Sequence, residues 1–170
     1  GGHHGSFFFN DRESGSVVKN FGSNSSRDTT LPRRQPFLSM QIHYPANLPV
    51  TAHRDDILRL LAAHQTVSIA GETGSGKTTQ IPKFCLELAG RKKLLIGCTQ
   101  PRRIAAVTVA ARVSEELGDN GNLAAYKIRF HDKTTADTRI KFMTDGVLLA
   151  ETRSDPQLRR YGTIIIDEAH

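Results

Sequence analysis

Eight consecutive residues, Gly71-Glu72-Thr73-Gly74-Ser75-Gly76-Lys77-Thr78, satisfy every fixed position of the pattern G-x-x-x-x-G-K-[ST]. Glycines let the backbone turn until several N–H groups point at one centre. Those donors, with the first turn of a following helix, form a cradle for β- and γ-phosphate oxygens. Lys77 adds a full positive charge, and the Thr78 hydroxyl is a hard oxygen ligand for the Mg²⁺ that accompanies a nucleotide. With Thr79 beside them, residues Gly71 to Thr79 are the candidate nucleotide-binding set. A second constellation stands near the other end of the chain. Asp167 and Glu168 follow the apolar run Thr163-Ile164-Ile165-Ile166. An acidic residue there suits Mg²⁺, usually through its water, opposite Thr78. Its neighbour Glu168 suits the task of orienting or deprotonating the water that attacks a γ-phosphate. An Asp-Glu pair at a strand end is weak evidence alone; the complete phosphate loop upstream gives it weight.

These groups need elements that bring them together. Thr66 to Ala70 reads as a short buried strand and Thr79 to Leu88 as a helix, the context the loop pattern requires. Upstream, Thr51 suits a helix N-cap, with Asp55 and Asp56 near the favourable N-terminal end and Ile57, Leu58, Leu60 and Leu61 on one face. Lys92 to Cys98 is an unbroken run, as expected of a parallel strand covered on both faces. A helix is expected from Ile104 to Leu117, ended by Gly118. Strands at Ala124–Phe130 and Thr138–Phe142, a helix at Asp145–Thr152 and a strand at Thr163–Ile166 complete the pattern. Strands alternating with helices predict an α/β fold, a doubly wound parallel sheet. In such sheets ligands sit outside the carboxyl ends of strands. The phosphate loop, Thr99–Arg103 and Asp167 all fall at such ends.

The 170 residues suffice for one domain, with 38% hydrophobic and 24% charged residues. The net charge of +6 leans toward a polyanionic partner, although a merely basic surface accounts for it equally. Cys85 and Cys98 lack metal-ligand spacing and read as buried free thiols of a reducing compartment. No apolar run approaches membrane-span length. Residues 1–40 are rich in Gly, Ser, Asn, Arg and Asp without sustained periodicity, and are expected to be a disordered or non-native tail preceding a domain at 41–170.

The motifs together resemble the DEAH-box branch of superfamily 2 helicases. Asp167-Glu168-Ala169-His170 and Gly71 to Thr78 carry the resemblance first. Thr99-Gln100-Pro101-Arg102-Arg103-Ile104-Ala105-Ala106 is similar to that family's motif Ia and Thr144-Asp145-Gly146-Val147-Leu148-Leu149 to its motif Ib. Tyr126-Lys127-Ile128-Arg129-Phe130 matches the segment between them, with Ala125 where the family usually has glycine. Leu149-Ala150-Glu151-Thr152 looks most like the bacterial HrpA-type RNA helicases, with nuclear splicing-type relatives second. The resemblance covers about residues 48 to 170 and implies a RecA-like motor domain that binds ATP and Mg²⁺ and acts on RNA.

Roles follow by the same resemblance. Lys77, Asp167 and Glu168 would be catalytic, and Thr78 and Asp167 would hold the metal. Arg112 would stack on the nucleotide base, which a guanidinium plane can do without reading base edges. Arg102, Arg103 and Thr144 would contact the RNA sugar-phosphate backbone, arginine because its fork fits phosphate oxygens. His170 would couple nucleotide state to a second motor domain. The expectation is an incomplete first motor domain of an ATP-dependent RNA helicase, lacking the second RecA-like domain, nearly inactive alone, monomeric, and cytoplasmic if bacterial or nuclear if splicing-type. Two alternatives stay open: an ATP- or RNA-binding module without turnover, and a DNA-directed helicase of the same superfamily.

Overall fold

The computed structural model of the chain describes residues 5–8, 17–19, 42–90 and 92–168. The chain enters the domain through two short helices, α1 (Pro49–Ala52) and α2 (Arg54–Ala63). Thr51 therefore lies inside α1 instead of capping the longer helix. His53 stands at the N-cap of α2 without a side-chain capping bond, and Asp55 and Asp56 occupy the first turn as expected. The reason is Pro49. Its fixed φ suits a helix start, so the helical path begins earlier and breaks at His53.

From there strands and helices alternate. β3 (Thr66–Ile69) leads into α3 (Lys77–Ala89), then β4 (Leu95–Gln100) and α4 (Arg103–Leu117). A 3₁₀ turn at Gly118–Leu123 precedes β5 (Ala124–Ile128), which pairs with the two-residue β6 (His131–Asp132). β7 (Ile140–Thr144), α5 (Asp145–Ser154) and β8 (Tyr161–Ile166) follow. Within residues 1–40, where a tail was expected, Gly5–Phe8 (β1) and Val17–Lys19 (β2) join the sheet on either side of β3. The strand order is β2-β3-β1-β8-β4-β7-β5-β6.

β8, β4, β7 and β5 are mutually parallel. β1 is antiparallel to both β3 and β8, so β3 runs the same way as β8. The chain moves in one direction across the sheet from β3 to β4 to β5 and in the reverse direction from β7 to β8. With right-handed crossovers, α3 and α4 then cover one face and α5 the other, the doubly wound arrangement that the alternation predicts. α3 and α4 bury Ile81, Phe84, Ala106, Ala110 and Val113 against Ile96, Cys98, Ile140, Phe142 and Ile165 of the strands. Cys85 and Cys98 are free and buried, and burial pushes both thiols up. β4 ends at Gln100, two residues beyond the expected Cys98, because Gln100 still pairs with Thr144 across the ladder.

Register sets the level of the functional ends. Thr99 lies opposite Ile166 of β8 and Met143 of β7, and Met143 opposite Lys127 of β5. Gln100, Thr144 and the residue after Ile166 consequently emerge together at one carboxyl edge. Across β1, Phe8 is opposite both Thr66 of β3 and Ile164 of β8. The phosphate loop, which begins just past Ile69, leaves the sheet at that same edge.

Candidate nucleotide site

α3 begins at Lys77 and not at Thr79, because Gly76 serves as its N-cap in the left-handed region, at φ 91°. The shift matters chemically: Lys77 and Thr78 fall in the first helical turn, where backbone N–H groups have no intrahelical acceptor. Gly74 also has a positive φ, 81°. Gly71 does not, and a Cβ there would make only ordinary contacts, the nearest at 3.5 Å from Ser75 Oγ. Two of the loop's glycines are thus demanded by backbone conformation, while Gly71 is not. The loop is tied to the lead-in helix by Val50 N–H donating to Ser75 O at 3.0 Å, and it closes on itself through Ser75 N–H to Glu72 O at 3.2 Å. Lys77 Nζ folds back over it, donating to Gly71 O at 2.6 Å, Glu72 O at 2.8 Å and Ser75 Oγ at 3.1 Å. Burial pushes the Lys77 ammonium below the ordinary lysine value against the opposing pull of Asp167.

The two motifs meet here. Thr78 Oγ1 donates to Asp167 Oδ2 at 2.7 Å, although 89 residues separate them. Gln100 Nε2, from the end of β4, donates to the same oxygen at 2.7 Å. The other carboxylate oxygen accepts from the Glu168 backbone N–H at 3.0 Å. Asp167 is buried, whereas Glu168 is exposed and sits at φ 52°, which turns the chain sharply after the strand. A positive φ at a non-glycine residue beside a buried carboxylate is the kind of local strain found at functional sites. Among the described residues no group of three His, Cys, Asp or Glu could hold a metal. One threonine hydroxyl and one carboxylate at contact distance instead fit an ion that takes one or two protein ligands and fills its shell with phosphate oxygens and water. Gln100 was not singled out in the sequence for its own sake; its place in the Thr99–Ala106 segment at a strand end was the signal.

Along the same edge, Arg102 is the N-cap residue of α4 and Arg103 its first residue, both exposed. Neither pairs with a carboxylate among the described residues, so neither charge is neutralised by a neighbour. Thr144 is the N-cap residue of α5, half-buried and without a side-chain capping bond. Arg112 lies one face round α4, with its side chain 61% exposed and its Nε donating to Glu116 Oε1 at 2.8 Å. His170 lies outside the described residues.

Two buried ionic clusters escaped the reading of the sequence. Lys83, fully buried, donates to Glu116 Oε2 at 2.7 Å and to the His43 carbonyl at 2.8 Å. Its only signal was a lysine inside the apolar run Ile81 to Leu86. Lys141, equally hidden on β7, donates to Glu151 of α5 and to Tyr161 OH of β8, and Tyr161 OH in turn donates to Glu151. This cluster fastens α5, and with it Thr144, to the sheet. No helix among the described residues is long and apolar enough to cross a membrane.

The model of the AAA domain family matches residues 54–170. Over 131 residues, 76% of its length, the chain is 56% identical to a protein of Escherichia coli named ATP-dependent RNA helicase HrpA. Over 141 residues, 82% of its length, it is 51% identical to an ATP-dependent RNA helicase HrpA homolog of Haemophilus influenzae. The aligned stretch is 10% and 11% of those two proteins, so the chain spans about a tenth of the length of the curated relatives it matches.

Proposed function

We propose a function from one premise: the chain belongs to the AAA domain family. On that footing, and from its similarity to two HrpA helicases, the domain is the nucleotide-binding half of an ATP-dependent RNA helicase motor. The observation that carries the reading is the 2.7 Å contact between Thr78 and Asp167, which makes one site of two motifs 89 residues apart.

The geometry of the site supports the following chemistry. Loop N–H groups and those of the first turn of α3 bind the triphosphate, and Lys77 exchanges its loop carbonyls for β- and γ-phosphate oxygens. Thr78 and Asp167 would hold Mg²⁺, which would supply charge neutralisation of the phosphates. Gln100 keeps the Asp167 carboxylate turned toward Thr78. Glu168 takes a proton from the water whose oxygen attacks the γ-phosphorus, and the bond from that phosphorus to the β–γ bridging oxygen breaks, so that ADP and phosphate leave. Arg112 stacks on the base. Arg102, Arg103 and Thr144 hold the RNA backbone at the same sheet edge, where hydrolysis can be felt by the strand ends that carry both sets of residues. The second RecA-like domain, coupled through His170, supplies the arginines that meet transition-state charge, a contribution of about 10³–10⁵ in rate where such residues have been removed. Residues 41–170 alone therefore turn over ATP very slowly.

Equilibrium binding of MgATP and steady-state phosphate release test this assignment. Lys77→Ala is expected to abolish MgATP binding, and Glu168→Gln to preserve binding while removing the residual hydrolysis. RNA-stimulated turnover by the 170-residue chain at the rate of a complete motor would overturn the division of labour between two domains.

A further inference from the structure

Glu116 receives three cationic or amide donors from two helices, and no motif accounts for it. Its Oε2 accepts from Lys83 Nζ at 2.7 Å and from Gln80 Nε2 at 2.8 Å, both on α3. Its Oε1 accepts from Arg112 Nε at 2.8 Å, one turn back on α4. The carboxylate is 8% exposed and Lys83 not at all, whereas Arg112 stands mostly in solvent. Gln80 lies two residues beyond Thr78 in the helix that the phosphate loop begins. Burial by itself would raise the Glu116 carboxyl, but Lys83, Gln80 and Arg112 outweigh it and hold the group below the usual range.

An arginine exposed on a helix samples many rotamers, and ordering it has an entropic cost. A bond from Nε to a buried, fixed carboxylate removes much of that freedom and leaves the guanidinium face open. We infer that Glu116 is a positioning residue that sets the Arg112 plane for the nucleotide base and ties it to the phosphate-loop helix, an inference that rests on the nucleotide reading above. Base and phosphate subsites are then spaced by one carboxylate braced from α3 by Lys83 and Gln80. A structural carboxylate alone would stabilise the α3–α4 packing without favouring a base.

Inorganic tripolyphosphate with Mg²⁺ separates the two roles, because it offers the phosphates without a base. Calorimetric affinities for MgATP and Mg-tripolyphosphate are measured on the 170-residue chain and its variants. Arg112→Ala is expected to lower the ATP-to-tripolyphosphate affinity ratio by about two- to thirtyfold, the range of a stacked cation. Glu116→Met, which leaves no acceptor for Arg112 Nε, should lower the ratio similarly, and adding Arg112→Ala to it should bring little further loss. Because Glu116→Met strands a buried lysine charge, Lys83→Met/Glu116→Met is tested beside it, which removes that charge while still freeing Arg112. Equal weakening of both ligands, or an unchanged ratio in the double variant, overturns the inference and leaves the nucleotide site intact. Failure of the unaltered chain to bind Mg-tripolyphosphate at all would sink the nucleotide reading itself, and the role of Glu116 with it.

Discussion

Gly76 is the residue on which the loop's shape turns. It has φ 91°, and a Cβ there would stand 2.9 Å from Leu48 Cδ1 and 3.2 Å from Val50 Cγ1. Strained conformation and crowding act together, so Gly76→Ala should destabilise the chain by about 1–3 kcal/mol in urea titration. Gly71→Ala meets neither obstacle and should leave the urea midpoint almost unchanged. Any loss it causes should appear in MgATP affinity, where the backbone must approach a phosphate closely. The pattern of eight residues announced the loop in the sequence, but it could not distinguish these two glycines, since φ is not written in residue identity. The same holds for Thr51, whose type suits a cap. Pro49 started the helix before it, and its hydroxyl ended buried without a partner.

At the level of elements, the helix–sheet alternation was legible because apolar runs and glycine stops are local signals. The buried ion pairs that lock helices together were not, since Lys83 and Glu116 are 33 residues apart and each looks like a surface residue in isolation. Their pairing gives a dependence on pH whose sign is fixed. The Glu116 carboxyl titrates lower in the folded chain than in the unfolded one, so the unfolded state binds more protons between the two values. The stabilisation is complete above the unfolded value, near the ordinary glutamate range, and is lost as pH falls through the folded one. Unfolding free energy measured in urea should therefore decline as pH is lowered below about 5, and that decline should be shallower in Lys83→Met/Glu116→Met.

On the scale of the molecule, the strand order was only partly readable. That the sheet is mostly parallel followed from alternation; that an antiparallel β1 lies between β3 and β8 did not, because residues 5–8 carry no periodic signal long enough to assign. Among the described residues, β1 matches four residues of β3, and its Phe8 lies opposite Ile164 of β8. Removing residues 1–19 should accordingly raise amide exchange along Thr66–Ile69, where both neighbours are lost, far more than along β4, which keeps β7 and β8. If exchange at Thr66–Ile69 does not change, those strands are not held in solution.

β1, antiparallel to both β3 and β8, is the seam between two parallel slabs of the sheet. On one side lies the slab that carries Asp167, on the other the slab that carries Lys77 and Thr78. A ligand gripped from both sides is a rivet across that seam. Saturating MgATP should then move calorimetric melting of the chain to a higher temperature.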